Sequence, residues 1–128
     1  MPSIQRPLSG DVLVFRLHEE RAHAADPAAV RRGGPSASTL LMDGPMRVTL
    51  IVLGPGARIA EHAAEGPITV QPLDGVITFT ALGEEHELRP GDLLSVGIGV
   101  RHALASADGG SFLLTVALPG AAPSDPAA

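Results

Sequence analysis

From residue 36 onward, apolar positions fall into short runs that glycine, proline and aspartate interrupt every few residues. Apolar runs of this length bounded by turn residues predict strands rather than helices. The expected strands are 36–42, 46–53 (the most apolar), 68–73, 76–82, 84–88, 93–96, 100–105 and 111–118. A further alternating run leads from Gly56 into His62. Asp74-Gly75, between two of these runs, reads as a hairpin-type turn. Pro72, which removes a ladder donor, is expected where regular pairing ends.

Before residue 36 the pattern is mixed. Residues 11–17 alternate and predict a short, edge-type strand, and 18–25 have helical composition. Asp26-Pro27 reads as an N-cap followed by proline at the first helical position, opening a short helix that Gly33-Gly34-Pro35 stops. The expected organisation is an N-terminal arm with a short helical segment over 1–35, packing on a barrel formed by 36–118. A disordered tail over 119–128 follows. Without long helices between strands, βαβ units are excluded. Antiparallel closure as a jelly roll or small barrel is the economical all-β solution.

Composition narrows the function classes. The 128 residues fit one domain with a real core, 45% being hydrophobic. No run of about 18 apolar residues predicts a membrane helix, and no signal-peptide pattern opens the sequence. The expected location is cytoplasmic. Nine arginines stand against 14 acidic residues, a net charge of −5 without a basic cluster, which argues against nucleic-acid binding. There are no cysteines, and the aromatics are three phenylalanines, so thiolate chemistry and stacking platforms are absent. A ligand pocket in this chain is therefore lined by aliphatic groups. No phosphate-cradling loop, dinucleotide fingerprint or nucleophile elbow is found.

Two segments carry a more specific pattern. Gly56, His62 and Gly75 frame the first, and Gly91, Gly99 and His102 the second. Their spacing resembles the paired motifs of the cupin superfamily over about residues 40–118. The resemblance implies a cupin-type double-stranded β-helix, with a metal held by two histidines two apart, a glutamate, and a histidine from the second motif. Here His62 and His102 occupy two of those four places. Ala64 stands where the second histidine is expected and Ile68 where the glutamate is expected. Gly97 replaces a proline and Ser106 an asparagine.

Half of the implied metal set is therefore missing, whereas catalytic centres commonly use three protein ligands. Among possible third ligands, Glu61 should point to the opposite face of the strand. Gln71 is a weak ligand on the wrong parity, and Glu65, in a turn free of alternation, ranks first. A divalent metal (iron, manganese, nickel or zinc) on His62, His102 and Glu65 is one expectation, and an absent metal the other. His86 is expected on a solvated strand face and His18 and His23 in the exposed helical stretch. Arg58, sharing nominal parity with His62, is placed at the cavity mouth, and Val70, Val100 and Leu104 among the cavity walls. Three functional readings compete. The leading one is binding of a compact, anionic or apolar metabolite in the barrel by Arg58, His62, Val70, Val100, His102 and Leu104. The second is a metal-dependent dioxygenase or isomerase. The third is a non-catalytic homodimeric module, since small cupins are often dimers.

Overall fold

Two short helices precede nine strands: α1 Leu17–Ala24, α2 Pro27–Arg31, β1 Pro35–Asp43, β2 Met46–Leu53, β3 Ala57–His62, β4 Ile68–Gly75, β5 Ile77–Ala81, β6 Glu84–Leu88, β7 Leu94–Val96, β8 His102–Ser106 and β9 Gly110–Ala117. The computed structural model describes residues 7–32 and 34–118. The expectations for the first six residues, Gly33 and the tail 119–128 lie outside the described residues. The strands form two antiparallel sheets, β1-β2-β9-β4-β7 and β3-β8-β5-β6. Their facing sides enclose the main core, in which Val70, Ile77, Phe79 and Phe112 are almost fully buried. This is a jelly-roll arrangement of an all-β chain.

Strand β2 is apolar on both faces because it serves two cores. Ile51 and Leu53 point into the barrel, while Leu50 and Val52 join Leu40 and Ala24 in a second cluster on the outside of the larger sheet. Helix α1 and the residues flanking it supply the cover, with Phe15, Leu17 and Ala25 packed against that cluster. Helix α2 starts as its sequence dictates: the Asp26 Oδ1 accepts a hydrogen bond from the Ala28 amide at 3.0 Å. Ser36 ties the helical passage to β1, its Oγ donating to the Ala24 carbonyl and accepting from the Asp26 amide.

Two expectations are corrected. Residues 11–16 form no strand. They alternate as a strand would, with Val12 and Val14 exposed and Leu13 and Phe15 less so, but the segment belongs to neither sheet. Nor does Asp74-Gly75 close a hairpin. Strand β4 stays paired with β9 through Gly75, whereas β5 pairs with β6 and β8, so the chain leaves one sheet for the other at Val76. Asp-Gly correctly marks the positive φ of Gly75, 75°; a turn residue cannot say whether the next strand folds back or changes layer. The corner is pinned from several sides. Ser111 Oγ donates to Asp74 Oδ1, Asp74 Oδ2 lies 2.6 Å from Arg21 Nη2, and Ser106 Oγ donates to the Val76 carbonyl at 2.8 Å. Pro72 stands at a pairing irregularity with β9, as expected of proline.

Candidate functional site

Strands β3 and β8 place His62 directly opposite His102. Ile59 stands opposite Leu104 in the same pair, and a register shift separates Ile59 from His62. One extra residue in β3 therefore rephases the strand, so that Ile59 and His62 both face the barrel although they are three apart. The two imidazole rings meet edge to face with centroids 4.4 Å apart. His102 is 2% exposed and stacks on Phe79, whereas His62 sits at the exposed mouth.

Each ring is anchored to its own strand. His62 Nδ1 lies 2.9 Å from the Ala60 carbonyl oxygen and His102 Nδ1 3.0 Å from that of Val100. A carbonyl only accepts, so Nδ1 carries a proton in both rings. Burial holds the His102 pKa below its usual 6.5; the Val100 carbonyl opposes this shift and the neighbouring His62 adds to it. At neutral pH the deeper ring is an uncharged acceptor.

The cavity behind the pair has a volume of about 70 Å³. Ala64 and Ile68 line it beside His62 and His102, so all four positions implied by the motif converge, two of them with apolar side chains. Val70 and Leu104 are in the same wall, joined by Ile59, Phe112, Leu114 and Val116. Val100 is not; it faces a separate groove between β6 and β7. Arg58 lies outside the barrel as well, in a shallow outer groove with Thr78, Thr80 and Ala103. The parity that linked Arg58 to His62 assumed a regular strand, and the extra residue breaks it.

Glu61 is on the outer side, its Oε1 2.8 Å from Arg101 Nε. Gln71 and Glu65 are exposed, as are His18 and His23. Among the described residues no group of three or more histidine, aspartate or glutamate side chains stands close enough to hold a metal ion. His62 and His102 are brought together and Glu65 does not complete a set with them. Two imidazoles in an otherwise apolar wall fall one donor short of a three-ligand centre. Phe79 escaped the sequence reading, although Ile77-Thr-Phe79 carries the period-2 signal of an inward-facing aromatic. Among the described residues no helix is long and apolar enough to cross a membrane.

No family model matches the chain, and neither does any curated protein. Solved structures do. A conserved protein with a double-stranded β-helix domain from Klebsiella pneumoniae superposes with a TM-score of 0.70 at 22% identity, over 87% of this chain and 94% of that one. A cupin superfamily protein from Desulfitobacterium hafniense gives 0.63 at 20% identity, over 66% and 77%. A conserved protein of unknown function from Streptococcus pyogenes gives 0.63 at 25% identity, over 69% and 77%. With its two facing antiparallel sheets and both motif histidines lining the barrel cavity, the chain has the fold of the cupin superfamily.

Proposed function

We propose that the barrel binds a compact, uncharged metabolite that donates a hydrogen bond, and holds it without turnover. The observation that carries this reading is the pair of facing imidazoles, the deeper one held uncharged, opening onto an apolar cavity of about 70 Å³. Sites for drug-sized ligands span roughly 300–1,000 Å³, and a water takes about 30 Å³ of liquid volume. The occupant therefore has only a few non-hydrogen atoms. An anion is disfavoured. Arg58 is on the outer side of the sheet, and the deeper imidazole is held in its uncharged form. A donor hydroxyl or amide satisfies Nε2 of His102 at no charge cost.

The test combines metal analysis with ligand screening on the purified protein. Plasma mass spectrometry before and after dialysis is expected to find far less than one metal per chain. A thermal-shift screen of small alcohols and amides, each beside its carboxylate counterpart, is expected to favour the neutral compounds, with the shift lost in His102→Asn. Near-stoichiometric metal that survives dialysis and vanishes in His62→Ala would overturn the reading and favour a metal enzyme. So would a preference for the carboxylates.

A further inference from the structure

The inner face of the smaller sheet continues past the barrel. Across its ladder, His62 is opposite His102, His102 opposite Ala81, and Ala81 opposite Glu84. In the next row Ile59 is opposite Leu104, Leu104 opposite Phe79, and Phe79 opposite His86. Residues directly opposite in an antiparallel ladder share a face. Glu84 and His86 therefore stand on the same side of the sheet as the paired histidines. The acidic run of β6 looks like one solvated face in the sequence, but its even-numbered residues turn toward the gap between β6 and β7.

That gap is a groove of about 340 Å³, within the usual range for small-molecule sites and several times the volume behind His62. Phe79, Leu94, Val96 and Val100 line it, all part of the main core or packed against it. Leu82 borders it at 86% exposure. Leu82 also has φ of 53°, the one described non-glycine residue in the left-handed region, which costs a leucine about 1–2 kcal/mol. The two-residue turn accounts for the backbone conformation, but it does not call for a large apolar side chain at its exposed first position, beside an apolar groove. The one formal charge among the lining residues is the Glu84 carboxylate, with His86 Nε2 3.9 Å from its Oε2; no arginine or lysine is present there.

We propose that this groove is a second ligand site, separate from the barrel cavity, which takes a compact apolar molecule carrying an ammonium group. The apolar body lies on Leu94, Val96 and Val100 under Leu82, and the ammonium pairs with Glu84. The charge of the lining selects the cation: a carboxylate or phosphate in the same place would meet Glu84 with no opposing charge.

The probe is benzylammonium, compared with benzyl alcohol and benzoate, titrated into the ¹⁵N-labelled full chain while amide shifts are followed. Benzylammonium is expected to move the amides of residues 79–86 and 94–100, with a Kd on the order of millimolar, as befits so few atoms. Glu84→Gln should weaken it about threefold to fivefold, the range of a partly exposed ion pair. Glu87→Gln, on the outward side of the same strand, should not. Both carboxylates are exposed, so neither change threatens the fold. Four results would overturn the proposal: no shifts at all, benzoate binding as well as the amine, equal weakening by both variants, or shifts centred on His62 and Ala64. The last would assign the amine to the barrel cavity and leave the groove without a ligand.

Discussion

The ring of Phe79 lies against that of His102, centroids 5.1 Å apart and planes 17° from parallel. Phe79 thus stands between two spaces, the cavity onto which His102 opens and the groove that it lines itself. It also covers one side of the imidazole, which keeps water from that ring. The electrostatics of the site follow from this contact.

The first prediction concerns pH. The folded-state pKa of His102 is below the unfolded value of 6.5, so the unfolded chain takes up this proton at higher pH than the folded one. Stability is then fully present above 6.5 and is lost as pH falls from there toward the depressed folded value. Urea midpoints measured from about pH 8 down to pH 5 should decline across that window. His102→Asn should remove much of the decline; an unchanged slope would show that other groups set it.

Removing the contact is the second. Phe79→Ala should cost about 3–5 kcal/mol, the usual loss for a buried phenylalanine. Phe79→Leu retains more volume, should remain folded, and lets water reach the imidazole. The His102 ring signals should then titrate closer to the ordinary value by NMR. A titration identical to the parent's would mean that burial by the remaining walls is sufficient.

Gly75 provides the third. A Cβ there would stand 2.3 Å from the Gly109 carbonyl oxygen and 2.8 Å from Gly110 Cα, at a φ of 75°. Both obstacles are backbone, so Gly75→Ala should destabilise by about 3 kcal/mol or more. Gly44→Ala is the control: φ is 57° but nothing lies within 4 Å, and only the conformational cost of about 1–2 kcal/mol should appear. Equal losses in chemical denaturation would deny the close approach.

The fourth exploits the two-residue turn between β5 and β6, where Leu82 and Gly83 have φ of 53° and 76°. Asparagine suits the first of these positions far better than leucine. Leu82→Asn should raise stability by about 1 kcal/mol, read as a higher melting temperature. A lower one would show that the leucine makes stabilising contacts despite its exposure.

A fifth follows from the four converging positions. Ala64→His with Ile68→Glu puts the two missing donor types on walls that already face His62 and His102. The double variant is expected to hold close to one zinc or iron per chain after dialysis, while the parent does not. Metal analysis of both proteins decides it.

Much of this was legible in the sequence because spacing and turn residues are local. His62, Ala64, Ile68 and His102, the four positions that the motif resemblance implies, line one cavity. Arg58 does not join them, because one extra residue between Ile59 and His62 leaves no mark in composition yet reverses the facing of everything before it. The hairpin expected at Asp74-Gly75 failed for a different reason. The sheet that receives β5 is set by its ladders to β6 and to β8, the latter a strand about twenty residues downstream that a local turn signal does not report. Glu84 and His86 were hidden by the run of charges around them, in which period-2 alternation is invisible.

Asp74 has a consequence for the order in which the molecule comes apart. One oxygen of its carboxylate is committed to Ser111 at the sheet-to-sheet corner, and the other faces Arg21 of α1 across a half-exposed gap. Helix α1 also adheres through a small apolar patch and the Ser36–Ala24 hydrogen bond, while the barrel is laced by continuous ladders. The helix is expected to open before the strands, and more readily at high salt, which screens the Arg21–Asp74 pair. Amide hydrogens of α1 should exchange by a sub-global opening that leaves those of β2, β4 and β9 protected. The histidine cavity then outlives its N-terminal cover, with the outer surface of the larger sheet as the first part of the interior to meet solvent.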